Sequence, residues 1–443
     1  MSRKSGRTPS FKALRESYND ISPPSPNHVL IVSSPIPSAT LSSALLCKWF
    51  LKSGILFHLT FSEPIMNIDT INELRKAYED SAMIVVGIDI IGDKRLRKGS
   101  SYPLFLGSQS ECSQIEERTI GNRTNIAAAS YAYTMGNNET ADPKLLQLAA
   151  AGAIVDDFPN LVLKGASKQV VGMAEKEKLI EESKGFRLFG VNFLQLKEVL
   201  TYSIRPYLQN LSGVLDACDR ICIDADIPFS KFSMPLNALS SLEATRFNER
   251  LLPLIDPRTI PYVLGQDYVL TQEKEDSLAR LLSGIKTLAE FGWTVGEWGT
   301  LTAIWMGNRE GSLRGRVLDA YKLYSLDVIA GVEECIETLL KSSESLTKGK
   351  TTRISTKAIR RETLADVGRI LIESGQVETP CVVLKMENSL EMIWKMNSRT
   401  LQEVIPLFWK VGISAESTSS QSIRIEAADD TGNTAMQIIE EIW

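Results

Sequence analysis

Residues 28–61 read HVLIVSSPIPSATLSSALLCKWFLKSGILFHLTF. The stretch opens on a short apolar run rich in β-branched side chains, Val29 to Val32, which predicts a buried strand. Residues 39–53 repeat apolar side chains at helical spacing, and ILFHLTF (55–61) reads as a second strand. Two strands joined by a helix make a crossover unit, so the strands are expected to run parallel. Outward from there the alternation continues. A helix is expected over 68–78, a third strand at AMIVVGIDII (82–91), a basic turn at DKRLRKGSS (93–101) and a fourth strand at YPLFLG (102–107). Alternating strands and helices predict an α/β fold with a parallel sheet covered by helices.

Further along, residues 124–155 are rich in alanine and read as helical, with Asp142-Pro143 as a helix start. Residues 167–205 and 240–340 read as mainly helical, and 205–240 carries turn signals. SSESLTKGKTTR, from 342, reads as a linker. Beyond it a smaller α/β unit is expected. Its pieces are a helix near 363–375, strands at PCVVLKM and LEMIWKMN, a helix at 400–410, a strand at SIRIEA and a last helix at 433–443. The organisation is therefore a flexible basic arm (1–27), a parallel-sheet domain (28–200), a helical connecting region (201–341), a basic linker (342–362) and a C-terminal α/β domain (363–443).

Composition narrows the chemistry. No run of about 20 apolar residues occurs, so no membrane span is expected. MSRKSGRTPS has no apolar core of the secretory kind, which points to the cytoplasm. The six cysteines are scattered. Cys218 and Cys222, four apart, would need two further ligands to hold zinc, so buried thiols are the reading. Only His28 and His58 exist, which excludes a histidine-rich metal site by counting. His28 directly precedes an apolar strand, His58 sits inside one, and both are read as structural. The formal net charge of −5 gives no global attraction to nucleic acid. Two local segments are basic and free of acids. One is 3–15; the other, 345–361, carries Lys348, Lys350 and Arg353. Either can be a solvated tail or a phosphate contact.

Four stretches, in order, resemble archaeal RecJ-like proteins of the Asp-His-His (DHH) phosphoesterase superfamily. They are residues 28–54, LLQLAAAGAIVDD (145–157), SIRPYLQNLSG (203–213), and 285–331, which contains FGWTVGEWGTLTAIW and GNREG. The resemblance implies a DHH domain, a helical middle and a DHH-associated C-terminal domain. Active members hydrolyse phosphodiesters with two divalent metals, usually manganese, held by carboxylates and imidazoles. In the first ligand loop of the resemblance this chain has Pro35, Pro37 and Ala39. At the Asp-His-His place it has Gly107, Ser108 and Gln109. None of these carries a carboxylate or imidazole. Asp89 and Asp156 match two other ligand places as remnant carboxylates. The glycine-rich, histidine-containing substrate loop is also missing from KVGISAESTSSQSIRIEA. Ser398-Arg399 resembles a turn that faces nucleic acid in the family.

What the resemblance implies is an inactivated phosphoesterase with no cofactor. It would be the archaeal counterpart of the cell-division-cycle subunit of the CMG helicase, joining GINS to the MCM ring near the nucleoid, with single-stranded DNA as a further contact. Two alternatives stand beside it. One is a metal-dependent single-strand exonuclease or phosphodiesterase, which would need acids such as Asp93 and Asp157 to converge on Asp89 and Asp156. The other is a stand-alone single-stranded nucleic-acid binder, for which a basic groove is the discriminating feature. Trp293, Trp298 and Trp305 fall in one turn-rich stretch, where they would pack in a core or stack on bases.

Overall fold

Val29, Leu30, Ile31 and Val32 are almost completely buried and form the strand His28–Ser33, inside a five-stranded sheet. In this computed structural model the described residues are 10–19, 28–92, 95–96, 103–110, 112–122, 125–136, 142–307, 311–341, 347–427 and 430–443. The sheet runs in the order Leu56–Phe61, His28–Ser33, Ala82–Val86, Leu104–Leu106, Thr119–Ile120, and every pair is parallel. Val29 pairs Phe57 on one side and Ala82 on the other. A strand buried on both faces needs no polar alternation, which is why the apolar run is continuous.

One face of the sheet carries the helix Ile68–Ala77. Ile68 and Ile71 join Leu30, Val32, Met83 and Phe105 there in one core. Asn67 caps that helix by accepting from the Asp69 backbone N–H. The helix Pro37–Ser53 is buried on nearly every side from Pro37 to Cys47, as expected of a helix with little polar face. It packs on Ile126–Met135 and Pro143–Val155. Each fully buried leucine or isoleucine in this layer contributes about 1.5–3 kcal/mol. Gly152 lets the helices approach, because a Cβ there would lie 2.8 Å from the Ala127 Cβ. The start signal at Asp142 holds: its carboxylate accepts from the Lys144 N–H, with Pro143 in the first turn. The fold class expected from the alternation is the one observed.

The chain divides into two compact units, Met1–Ser183 with Gln266–Leu313, and Lys184–Gly265 with Arg314–Trp443. Residues 266–313, taken from sequence as part of the helical connector, belong to the first unit. Leu282–Val295 packs on Pro37–Ser53 and Pro143–Val155, and Trp298–Trp305 packs on Pro37–Ser53. The stretch expected to be turn-rich is thus two helices, broken at Gly296 with φ +77°. Trp293 and Trp305 are buried, and the Trp298 ring lies 5.5 Å from that of Phe61. The 167–205 region, expected to be mainly helical, contains the strand Ile180–Phe186, which pairs with Leu264–Leu270.

Two segments expected to be irregular carry structure. Within the arm, Phe11–Asn19 is a helix, because Phe11 and Leu14 face one side and are buried. Phe11 stacks on Tyr131 at 5.7 Å. Residues 1–9 and 20–27 of the arm lie outside the described residues. Within the linker, Thr351–Ser355 is a strand whose Thr351, Thr352 and Ile354 are buried. It belongs to a six-stranded sheet in the order Thr347–Lys348, Thr351–Ser355, Cys381–Lys385, Ser389–Trp394, Ser422–Glu426, Ala415–Ser419. Only the Thr351–Ser355 and Cys381–Lys385 pair is parallel. Among the described residues no helix is long and apolar enough to cross a membrane.

Candidate functional site

In open parallel α/β sheets, ligand sites form beyond the carboxyl ends of the strands. Here that edge is reached at Ser34, Gly87 and Gly107, which continue the ladder. Ser34 N–H donates to Val86, Gly87 N–H to Leu106 and Gly107 N–H to Ile120, at 2.9–3.0 Å. Gly87 and Gly107 have φ of +64° and +67°, a region that disfavours any side chain. Both also face a filled space. A Cβ on Gly107 would lie 2.4 Å from Ile126 Cγ1. One on Gly87 would lie 2.9 Å from Ile126 Cδ1, 2.9 Å from Ser34 Oγ and 3.0 Å from the Ala39 Cβ. Ile126 opens the helix Ile126–Met135 and lies across two strand ends, with Ala39 beside it.

Asp89 and Asp156, the carboxylates expected at two of the ligand places, are committed to this packing. Asp156 stands at the C-terminus of Pro143–Val155 and accepts from the Ser38 backbone N–H at 3.3 Å and from the Ser38 hydroxyl. Ser38 is in the first turn of Pro37–Ser53, whose own N-cap residue, Ile36, offers no side-chain acceptor. Asp156 therefore acts as a helix cap supplied from another helix, where N–H groups would otherwise be unmet. Asp89 is buried at 2% exposure. It accepts from the Gln109 backbone N–H at 2.9 Å, while its own N–H donates to Pro64. The structure so brings Asp89 to Gln109, and Asp156 to the helix turn that holds Pro37 and Ala39. Pro35 lies in the loop just before it, and Ser108 is buried beside Gly107.

A pair of divalent metals, as the family resemblance implies, needs several carboxylates or imidazoles around one space. The residues present do not fit it. Ile126 and Ala39 pack against the strand ends at Gly87 and Gly107, Pro35, Pro37, Gly107, Ser108 and Gln109 bring no anionic donor, and the two carboxylates already serve backbone and hydroxyl donors. Among the described residues no group of three or more His, Cys, Asp or Glu side chains is gathered to hold a metal ion. His28 begins its strand, at the end of the sheet opposite this edge, and its Nδ1 lies 2.7 Å from the Ser81 hydroxyl. His58 stacks on Tyr78 at 5.9 Å. Of the two extra acids of the enzyme alternative, Asp93 lies outside the described residues, and burial raises the Asp157 carboxyl pKa against the opposing pull of Lys164 and Lys286. Sequence reading missed Ser38, Gly87 and Ile126. A serine one residue after a proline at a helix start was the available signal for the first. Nothing local marks Ile126.

No protein-family model matches the sequence, and no curated protein does. Among solved structures, CDC45 from Entamoeba histolytica superposes with a TM-score of 0.61 at 11% identity, covering 98% of this chain and 97% of that one. The chain has the CDC45 fold. RecJ from Thermus thermophilus, in complex with Mn2+, gives a TM-score of 0.47 at 10% identity, over 97% of this chain and 54% of that one. The CDC45 fold agrees with the resemblance drawn from the four sequence stretches.

In the second unit, two of the basic residues singled out from sequence, Arg353 and Arg399, meet the last helix, Asp430–Ile442. Arg353 forms an ion pair with Glu440. Arg399 donates to the Ile442 carbonyl at 2.9 Å and lies 5.8 Å over the Trp443 ring. The Ser398 hydroxyl donates to the Lys395 carbonyl within its own turn. Lys350 is exposed in the turn between Thr347–Lys348 and Thr351–Ser355, and the Lys348 side chain is outside the described residues. Cys218 and Cys222 are both buried, with their sulfurs 3.9 Å apart.

A second buried polar group holds this unit together. The Asp366 carboxylate, 2% exposed, accepts from Arg205 at 2.6 Å, from Tyr324 Oη at 2.8 Å and from Arg369 Nε at 3.0 Å. Burial opposes its charge, but Arg205, Arg369 and the Tyr324 hydroxyl outweigh burial and hold its pKa below the usual carboxylate value.

Proposed function

We propose that this chain is a non-catalytic replication factor, a RecJ-like scaffold subunit that joins GINS to the MCM ring of an archaeal replicative helicase. One observation carries the reading: in a chain with the CDC45 fold, the edge where a DHH phosphoesterase would hold its metals is packed with Ile126 and Ala39. A fold kept with its chemical edge closed is most simply explained by binding. Asp156 and Asp89 have become structural acceptors, so the enzyme reading lacks its donors. The acidic balance of the chain, −5, gives a stand-alone nucleic-acid binder no general pull on phosphate. Single-stranded DNA then enters as a secondary contact, at the exposed Lys350 and the Ser398-Arg399 turn, with Arg353 available only if it leaves Glu440. The site of action would be the nucleoid-associated cytoplasm.

Co-purification with archaeal GINS subunits, followed by light scattering, tests this. The expected result is a complex whose mass equals the sum of the components, and which then retains MCM. Separate elution of the chain and GINS across the micromolar range would overturn the scaffold reading.

A further inference from the structure

Large apolar side chains left in water are not evenly spread. Of the sixteen that are exposed among the described residues, eight lie between Val214 and Tyr262, all in the second unit. Phe229 is 76% exposed and Leu242 68%, with Leu215, Ile223 and Met234 also open. Isolated exposed apolar residues need no explanation, whereas a concentration of them marks a contact surface.

The local framework is ordered, so the exposure does not come from a loose tail. The helix Ala217–Asp224 buries Ala217, Cys218, Ile221 and Cys222 and turns Ile223 outward. The helix Ser241–Leu251 buries Glu243, Phe247 and Leu251 and leaves Leu242 outside. Ser240 and Glu243 form a capping box at its start. Lys231 pairs with Glu243 at 2.5 Å, which ties the turn Phe229–Lys231 to that helix start. Phe229 rests on Phe232 with ring centres 4.9 Å apart. Arg250 donates to the Asp224 carbonyl at 3.0 Å and Arg246 to the Asp226 carbonyl at 3.3 Å, closing one helix onto the other.

The charges in this segment leave a negative balance. Between 214 and 251 Lys231 pairs with Glu243 and Arg246 with Asp226, while Arg220 and Arg250 donate to the Asp216 and Asp224 carbonyls and keep their charge. Against those two charges, the carboxylates of Asp216, Asp219, Asp224 and Glu249 form no ion pair among the described residues, so the six acids and four cations of 214–251 leave a net −2. Exposed apolar side chains on a segment that keeps a net negative charge are complementary to an apolar stripe flanked by lysine or arginine. Such a segment repels phosphate and anionic lipid.

We propose that the surface of residues 214–251, centred on Ile223, Phe229, Met234 and Leu242, docks a cationic amphipathic helix of a protein partner. The proposal rests on the scaffold reading in one respect, that the chain works by binding proteins; it adds where on the second unit it does so.

The test uses the full chain and three labelled peptides: leucines at helical spacing with lysine elsewhere, the same leucines with glutamate, and the lysine peptide with its leucines scrambled. Each carries a photo-crosslinker. The expected result is binding of the leucine–lysine peptide alone, with crosslinks within 214–251. Affinity should fall about tenfold or more in Phe229→Ser/Leu242→Ser, the loss expected when a central aromatic anchor is removed. It should also fall in Asp216→Lys/Asp224→Lys. All four positions are solvent-facing, so circular dichroism should be unchanged, and a variant that fails to fold is replaced by its single substitutions. Equal binding of the glutamate peptide, crosslinks elsewhere, or undiminished binding in both variants would overturn the proposal. So would concentration-dependent dimerisation that Phe229→Ser/Leu242→Ser abolishes, because the surface would then be covered by a second copy. Failure here leaves GINS binding and metal-dependent hydrolysis to their own assays, so the two readings fail separately.

Discussion

Replacing Asp156 with alanine distinguishes a structural carboxylate from a remnant metal ligand. In the structure Asp156 accepts from the N–H and the hydroxyl of Ser38, which is itself only 2% exposed. Loss of a helix cap costs about 0.5–2 kcal/mol. Loss of the charge at the helix N-terminus costs about 0.3–1 kcal/mol. The two are measured on overlapping interactions, so they do not simply add. Since Ser38 is shielded from water, the upper part of the range applies, about 2 kcal/mol. That cost is local to the start of Pro37–Ser53, so hydrogen exchange resolved by mass spectrometry is a better assay than a global melt of a chain with two units. Amides in the first two turns of that helix should exchange about 30-fold faster in Asp156→Ala, at about 1.4 kcal/mol per decade. The change should be the same with and without manganese. Unchanged exchange in the variant, or manganese slowing exchange in the parent and not in the variant, would refute the capping argument.

Three other outcomes follow from the same packing and from the second unit. Ala39→Asp places a carboxylate in a fully buried position 3.0 Å from a Gly87 Cβ position; burying an unpaired ion costs several kcal/mol, so soluble yield and melting temperature should fall sharply and manganese should not restore them. Gly107→Ala meets Ile126 Cγ1 at 2.4 Å and Ile126 Cα at 2.9 Å; combining it with Ile126→Ala should recover only part of the lost stability in urea titrations, because the backbone contact and the positive φ remain. Asp366→Asn leaves Arg205 and Arg369 facing a neutral group and should cost about 3–5 kcal/mol. In the parent chain, the Asp366 pKa is depressed by folding, so its stabilisation is present above the unfolded value of about 4 and is lost as pH falls through the lower folded value. A stability–pH profile of the parent should therefore drop on the acid side of about pH 4, and the drop should shrink in Asp366→Asn.

The parallel sheet was legible because two inner strands are buried on both faces and stand as unbroken apolar runs at 29–32 and 82–86, each bounded by a turn. The strand expected over 82–91 ends at Val86 and resumes at Asp89, since Gly87 takes a positive φ. The helix Phe11–Asn19 escaped notice because two apolar residues, Phe11 and Leu14, are a weak signal in a basic stretch. Thr351–Ser355 escaped because threonine and serine read as linker until their neighbours in the sheet bury them. At the candidate site, the side-chain chemistry of Pro35, Pro37, Ala39, Gly107, Ser108 and Gln109 was plain in one dimension. The closing of the edge by Ile126 was not, because it needs residues far apart in the chain to meet at Gly87 and Gly107. The exposed surface around Phe229 was likewise invisible, since sequence cannot distinguish an apolar residue in a core from one left in water.

The most direct test of the central claim is to incubate the purified chain with 5′-labelled single-stranded DNA and manganese, and to follow strand length over time. Full-length DNA is expected at every time point, in the parent and in Asp156→Ala alike. Manganese-dependent shortening that a chelator stops, and that Asp156→Ala abolishes, would contradict it.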